Sequence, residues 1–567
     1  MLDRPENLYQ LLKYASIPER WKECGSLELA RTEDRLTLLK RKQAFTKAVG
    51  METFLLTPSE LKDKCSWIKT DDLIGGLWIP EDGVVTSTDV VNVYAKLAKQ
   101  KGVKILEGVG VKRVLTCNGQ VNQVVTSHGT INCQYFVNCT GLWARENGKN
   151  TEPPIKVPLH ANEHFYLVTN PIQGIDRMLP IIRDADGFVY FREWSGGILG
   201  GGFELEGKPV FQDGVPDKFE FQLLPEDWDH FKPLMDQMLH RIPAMETAQI
   251  RSLVNGPESF TPDGNMILGE TPEVKNYFLA TGMNSGGIVG SGGVGKYIVE
   301  WIIDGSPSTD LSAHDIQRFP SHANNSKFLF ERVKETISKY TIKYPYESWK
   351  SCRNIRRSPL HYKQEAAGAV FGETNSHERA DWFKLSVQDG NVETGTFKKP
   401  VWFESVKKEY MTCKESVGIM DMSPIITITE VKSVGNECVY FLQKLCSNNI
   451  HQGIGAVVPT GMQNKNGGYK DFCLVLQTAE NCFLIQSPQA QQTRSLVWLN
   501  ENKPEDGSVQ IRNLTSTYTA INLIGPNASK LLANLSNTAT SLEEFKPSDF
   551  SGDRCWVCYW GMCNKTH

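Results

Sequence analysis

The sequence predicts a chain of two modules, an α/β module followed by an α+β one. Three observations predict it. A helix over residues 84–101 gives way to short strands punctuated by Asn118-Gly119 and His128-Gly129. Two apolar strands, 135–140 and 277–282, each run into a glycine turn, as in doubly wound sheets whose ligands meet the carboxyl ends of strands. From Ala366 the pattern restarts after a polar, basic stretch, and 567 residues exceed what one core organises.

Taken in order, residues 8–61 read as helices joined by a short extended piece. In the 84–101 helix Ser87 or Thr88 is the expected N-cap, and Val90, Val91, Val93 and Leu97 fall at helical spacing. The period then shortens, and 111–116, 121–126 and 130–133 read as an antiparallel meander. Residues 155–260 are strand-rich, with glycine turns expected at Gly196-Gly197 and Gly200-Gly201-Gly202. A helix over 286–304 follows the Gly282 turn, and 305–362 reads as a bridging segment. The chain carries no internal repeat and no low-complexity tract.

Composition excludes several classes of function. With 40% apolar and 22% charged residues and a formal net charge of −4, no basic field points to nucleic acid or an acidic membrane surface. The most apolar stretch, 297–303, contains Glu300 and falls far short of the roughly eighteen residues of a spanning helix. The first 21 residues hold Asp3, Glu6 and Glu19 and no apolar core, unlike a secretory signal or an acid-poor transit peptide. Either the chain stays in the cytosol or its start lies upstream. Fourteen cysteines without a repeating frame read as reduced thiols, and Cys555-Trp556-Val557-Cys558 supplies too few ligands for a metal motif, so no metal is expected.

Two glycine turns carry the chemistry. The strand 135–140 ends in Thr140-Gly141-Leu142-Trp143 beside the meander, the layout of FAD domains of the glutathione-reductase kind. The second turn, Gly282-Met283-Asn284-Ser285-Gly286-Gly287-Ile288, opens a helix directly after a strand. Residues 290–295 satisfy GxGxxG, but they lie inside the helix start and no acidic strand end follows about twenty residues on. The better reading is a helix N-terminus whose free N–H groups and positive dipole end face an electron-rich ring. Close helix–sheet packing is the alternative for Gly292, Gly293 and Gly295.

These segments fall in a row with others, 255–263, 268–274, 292–296, 356–360, 367–373, 381–383 and 418–423. Together they resemble the dimethylglycine/sarcosine dehydrogenase family over nearly the whole chain. The resemblance implies a glutathione-reductase-type FAD-dependent oxidoreductase fold lacking its first βαβ unit. A partial aminomethyltransferase module like the glycine-cleavage T-protein follows. The implied domains are 1–304, a central bridging domain 305–364, an incomplete aminomethyltransferase-like domain 365–551, and an atypical tail 552–567. Carried over by position, Val111 would meet the adenine end of FAD, Trp143 would contact it after the Thr-Gly turn, and Met283, Asn284, Ser285, Gly286, Gly287 and Ile288 would flank the isoalloxazine. His164 and Tyr166 lie where the dehydrogenases place substrate-pocket residues, with sheet packing as the alternative. Asp471 lies where a folate enzyme activates the reacting nitrogen, which would make tetrahydrofolate a ligand. Here Lys470-Asp471-Phe472 replaces the usual paired acids, and a solvated hairpin position is the alternative.

Two departures limit what the resemblance implies, one at the start and the other at 552–567, which resembles nothing in the family. The family opens with a strand–GxGxxG–helix that cradles the FAD pyrophosphate and with a histidine segment that ties the flavin covalently. Neither is recognised in this sequence, so the expectation is a truncated chain that binds FAD weakly or not at all. Within the family, stretches 133–139, 158–160, 163–167, 184–187, 196–204 and 227–231 resemble a regulatory branch. That implies the mitochondrial matrix and, as partner, the catalytic subunit of pyruvate dehydrogenase phosphatase. Three readings stay open: a regulator; an oxidoreductase that moves hydride from an N-methyl carbon to flavin N5, with folate capturing the one-carbon unit; and a truncated product without function.

Overall fold

The computed structural model describes residues 21–385 and 395–535, together with the backbone of 550–553 and 555–558. The chain divides into two compact units, Met1–Ile316 with His322–Lys343, and Gln317–Ser321 with Tyr344–His567. Residues 305–362, expected as one bridge, are shared between them, and the helix Ser326–Thr336 belongs to the first unit.

The first unit opens with β1 (Ser26–Ala30), where the sequence suggested helix or a short extended piece; residues 8–20 of that expectation lie outside those described. β1 is a strand because its partners are remote, β3 (Gly75–Ile79) antiparallel on one side and β9 (Ile181–Asp184) parallel on the other. Local pattern carries no trace of such pairing. The expected helices flank the short β2 (Phe54–Leu56): Glu33–Ala48, capped by the Thr32 side chain, and Pro58–Lys64, closed by a capping box between Thr57 and Glu60. The next helix is Ser87–Gln100, and its cap is Thr86 rather than Ser87 or Thr88, without a side-chain hydrogen bond.

The meander forms as β4 (Val111–Cys117), β5 (Gln120–Thr126) and β6 (Gly129–Asn132). Its first turn is tight because Asn118 and Gly119 both take left-handed backbone, at φ 51° and 75°. β7 (Phe136–Asn138) then runs parallel to β15 (Tyr277–Thr281), which also pairs antiparallel with β14 (Ile267–Glu270).

The large sheet has nine strands in the order β12-β8-β11-β10-β9-β1-β3-β2, with β13 (Ile250–Phe260) on the far edge of β8 (His160–Thr169). Here β10 is Val189–Trp194, β11 is Gly197–Gly202 and β12 is Pro209–Val210. Gly200-Gly201-Gly202, expected as a turn, lies inside β11. Glycine is needed because a Cβ on Gly201 would overlap the Tyr190 hydroxyl, and one on Gly202 would strike the Phe188 carbonyl and the Leu234 side chain. One face of the sheet packs Leu27, Ile182, Phe191 and Phe165 on Phe231, Leu234 and Met238 of the helix Trp228–Arg241. Phe165, Phe191 and Phe231 are wholly buried, each contributing about 1.5–3 kcal/mol by leaving water. On the opposite face the helix Glu33–Ala48 covers β1 and β3 through Leu39, Ala30 and Leu77, and Ser326–Thr336 covers the start of β8. The ground between those two helices is the candidate site.

The second unit is built on a five-stranded antiparallel sheet, β20-β21-β22-β19-β23, comprising β19 (Ile426–Ser433), β20 (Val457–Gln463), β21 (Tyr469–Ala479), β22 (Cys482–Pro488) and β23 (Val509–Asn513). Phe441 and Leu442 of the helix Glu437–Leu445 and Leu499 of Gln492–Asn502 pack on Val431, Val475 and Phe483. Two-stranded pairs complete it, β16 (Ala369–Thr374) with β17 (His377–Phe383) and β18 (Gly418–Asp421) with β24 (Ile521–Ile524). Cys555 and Cys558 lie on a strand paired antiparallel with Phe550–Asp553, their side chains outside the described residues.

Candidate functional site

Strand register builds the floor of the site. Glu28, Arg183, Tyr190, Gly201, Tyr166 and Val254 stand opposite one another on successive strands, in one row across the sheet. Residues directly opposite share a face, so the two tyrosines flank Gly201 and Arg183 stands beside Tyr190. At one end Arg183 approaches Glu28 and Asp82, each at 3.4 Å. Tyr166, two residues after His164 on β8, therefore points to the same side as the histidine. Burial pushes the Tyr190 phenol well above its usual range, keeping it neutral and able to donate.

His164 is held between two carboxylates. Its Nδ1 lies 3.2 Å from Glu204 Oε2 and its Nε2 lies 3.6 Å from Glu258 Oε2, while Phe203 packs on the ring at 5.1 Å. Burial opposes the protonated form, and Lys339 adds to that, but Glu204 and Glu258 outweigh both and raise the imidazole above its ordinary value. Glu204 is buried, and its Oε1 has no hydrogen-bond partner among the described residues. Tyr340 closes the wall edge-on against Phe203 at 4.9 Å, and its carbonyl accepts from Arg35 at 2.6 Å. Glu204 and Glu258 lie within the stretches 196–204 and 255–263, but the sequence does not set them, Tyr190 or Tyr340 beside His164; register and the chain's return bring them here.

The turn before the helix Gly287–Asp304 borders the cluster. Gly282, Asn284 and Ser285 take left-handed backbone at φ 63°, 48° and 64°. Asn284 is buried and fixes the turn: its Oδ1 accepts the Thr261 N–H at 3.0 Å and its amide donates to the Gly282 carbonyl. Gly286 offers no side-chain cap, and the Gly290 N–H is the first to reach back into the helix, to Gly286. The N–H groups of Gly287, Ile288 and Val289 therefore precede the ladder, on a first turn where Ile288 and Val289 face solvent. Such an uncapped end fits the electron-rich edge of a flavin. Trp143 and Val111 are exposed, at 40% and 39%, and nothing would meet a Cβ on Gly141, which sits at φ 54°. Of the residues expected at FAD, Ser285, Gly287 and Ile288 are exposed, Gly286 is half-buried, Met283 is half-buried against Gly287, and Asn284 is buried.

On the opposite face of β8 from His164, Glu163 approaches His230 at 3.8 Å and Lys208 at 3.6 Å, and the Lys208 ammonium lies 2.6 Å from Asp227. That lysine supplies the positive charge the cluster calls for.

In the second unit Asp471 sits on β21 opposite Met462 and is 2% exposed, not solvated in a hairpin. Its Oδ2 accepts from the Ser487 hydroxyl at 2.6 Å, and Oδ1 has no partner among the described residues. Burial raises its carboxyl above the usual range against the Ser487 hydrogen bond.

Comparison with known proteins places the chain in a family. The model for FAD dependent oxidoreductases matches residues 6–301, that for the FAD dependent oxidoreductase central domain matches 304–358, and that for the GCVT N-terminal domain matches 360–555. The chain is 41% identical over 541 residues to a mitochondrial pyruvate dehydrogenase phosphatase regulatory subunit of Mus musculus, covering 95% of this chain and 61% of that one. It is 31% identical to a 4-methylaminobutanoate oxidase (formaldehyde-forming) of Paenarthrobacter nicotinovorans, covering 93% and 63%. To a mitochondrial sarcosine dehydrogenase of Mus musculus it is 33% identical, covering 79% and 51%. It thus spans between half and two thirds of the length of these relatives. Among solved structures, an L-proline dehydrogenase from P. horikoshii superposes with a TM-score of 0.48 at 25% identity, covering 55% of this chain and 80% of that one. The match over residues 6–301 takes in more than half of the sequence, and the chain belongs to the FAD dependent oxidoreductase family, with a GCVT-type domain after it.

Proposed function

We propose that this chain is a flavoprotein-fold regulator of pyruvate dehydrogenase phosphatase, a binding body for the phosphatase catalytic subunit in the mitochondrial matrix. The gradient of identity carries the reading: 41% to the murine regulatory subunit, against 33% to sarcosine dehydrogenase and 31% to the methylaminobutanoate oxidase. A regulator acts by binding one state of its partner better than another. The test is phosphatase activity against Mg²⁺ concentration, with and without this protein. A raised Mg²⁺ requirement is expected, and superimposable curves at saturating folded protein would overturn the reading. The division into 1–304, 305–364, 365–551 and 552–567 is proposed on the same footing.

The second reading is an oxidoreductase of the dimethylglycine/sarcosine dehydrogenase kind, and the His164–Glu204–Glu258 cluster beside Tyr166 and Tyr190 favours it. FAD, when bound, supplies hydride acceptance. In this reading the two carboxylates favour the protonated form of His164, and the tyrosines orient a substrate over the sheet. Asp471 would act as the acid–base group toward tetrahydrofolate in the second unit. Flavin binding by this chain is proposed to be weak. In this reading the Gly282 turn would flank the ring and Trp143 would contact FAD, while among the described residues no strand–glycine turn–helix unit is left for the pyrophosphate. A flavin absorbance spectrum of the purified protein, then bleaching by dimethylglycine or sarcosine, separates the readings. The regulator predicts no bleaching, and substrate-dependent reduction would put the oxidoreductase first.

A further inference from the structure

One carboxylate oxygen stands at the meeting of the helix turn and the histidine. Glu258 Oε2 accepts the Ser285 hydroxyl at 2.5 Å and lies 3.6 Å from His164 Nε2. On the far side of the ring Glu204 Oε2 takes Nδ1 at 3.2 Å. Ser285 cannot drift freely, because its left-handed backbone follows Asn284, which is tied to Thr261.

We propose that Glu258 is a positioning residue that joins the turn 282–286 and the His164 imidazole into a single unit, so that the hydrogen bond at the turn and the proton on His164 are linked. It goes beyond both proposed functions and depends on neither. When the imidazole carries two protons, Nε2–H and the Ser285 hydroxyl compete for the same oxygen. When it carries only Nδ1–H, donated to Glu204, the Nε2 lone pair turns Glu258 away and leaves the carboxylate to Ser285. Linkage is reciprocal: whatever draws the turn away from Glu258 frees that carboxylate for His164, and protonating His164 loosens the turn. The charged groups that face His164 are Glu204 after β11, Glu258 on β13 and Lys339 after the helix Ser326–Thr336, with Phe203 and Phe260 as apolar walls. Lys339 opposes the proton, so the two carboxylates must act together to hold it.

The test is an NMR titration of the full chain carrying ¹³C-labelled histidine, with the His164 signal identified by its loss in His164→Asn. Removing the Ser285 hydroxyl leaves Glu258 unshared, so Ser285→Ala is expected to raise the His164 midpoint. Removing the negative charge in Glu258→Gln is expected to lower it, each by about half a unit or more. Opposite signs are the signature, since a loosened fold would move both variants toward the ordinary histidine value. Ser285 is exposed, so its alanine variant tests the link even where Glu258→Gln folds poorly. An unmoved midpoint in Ser285→Ala, or shifts of the same sign in both variants, would overturn the proposal.

Discussion

Each unit of this molecule buries an aspartate, and the two are treated in opposite ways. In the first unit Asp184 is wholly buried, with Arg241 Nε at 2.6 Å and Arg31 Nη2 at 2.5 Å, and it also accepts the Gly187 N–H. Arg241, itself wholly buried, goes on to a bidentate pair with Asp72 at 2.9 Å. In the second unit Asp471 is almost as buried, yet among the described residues only the Ser487 side chain hydrogen-bonds it, one oxygen is left open, and Arg494 acts on it through charge without an ion pair. A carboxylate with two arginines is committed to holding β9 to the helix Trp228–Arg241. A buried carboxyl with no ion pair among the described residues, and only the longer-range charge of Arg494 to offset its burial, adds little to the fold, and such groups concentrate at sites of chemistry.

The largest expected effect follows from the paired member. Asp184→Asn leaves Arg241 and Arg31 without their shared counter-charge, and breaking a buried pair from one side costs about 3–5 kcal/mol. The urea midpoint of the full chain should fall accordingly, with the first unit unfolding before the second. A variant within about 1 kcal/mol of the parent would erase the distinction between the two aspartates.

A second effect should be shared by the two units, which sharpens the contrast by giving it a matched control. His160 in the first unit and His377 in the second are both lowered to about 4, by burial first and then by Arg145 and Arg356 respectively. A histidine that resists protonation in the folded state binds fewer protons than the unfolded chain does. Stability is therefore full above the unperturbed 6.5 and is lost as the pH falls from there toward 4. Thermal melts from pH 7 to 4.5 should move both transitions downward together. His160→Gln should flatten the acid limb of the first alone, and a limb unchanged in that variant would remove His160 as its cause.

How much of this was legible beforehand depended on distance along the chain. The meander was, because Asn118-Gly119 encodes its turn locally, and so was the long helix, which starts in the Gly282 turn and stops where Gly305 takes φ 79°. β1 was not, since its strand character comes from β3 and β9 far along the chain, and neither was β11, whose glycines answer to Tyr190 and Leu234 rather than to a turn. The site divides the same way. His164, Tyr166 and the 283–288 turn could be placed by motif, whereas Glu204, Glu258 and Tyr190 join them only through register and the approach of a turn from another part of the chain. Asp471 could be singled out by motif, but its burial and its lack of an ion pair among the described residues could not be read from Lys470 and Phe472 on either side.

The smallest expected effect belongs to the open member of the pair. An asparagine at 471 keeps the shape, can still accept the Ser487 hydroxyl through its carbonyl, and removes a charge that burial disfavours. Asp471→Asn should therefore change stability by less than about 1 kcal/mol. Its sign has a pH signature. Because the folded carboxyl titrates above the ordinary 3.8, the folded chain holds the proton more tightly than the unfolded one. Parent stability from this group consequently falls as the pH rises from 3.8 through the raised folded value, and then levels off. The asparagine variant escapes that loss, so its advantage over the parent should grow between pH 4 and neutrality and then hold constant. Paired melts of Asp471→Asn and the parent across that range measure it. A variant that instead loses several kcal/mol at neutral pH would mean that Arg494 holds Asp471 as the arginines hold Asp184, and the two units would bury their aspartates for the same reason.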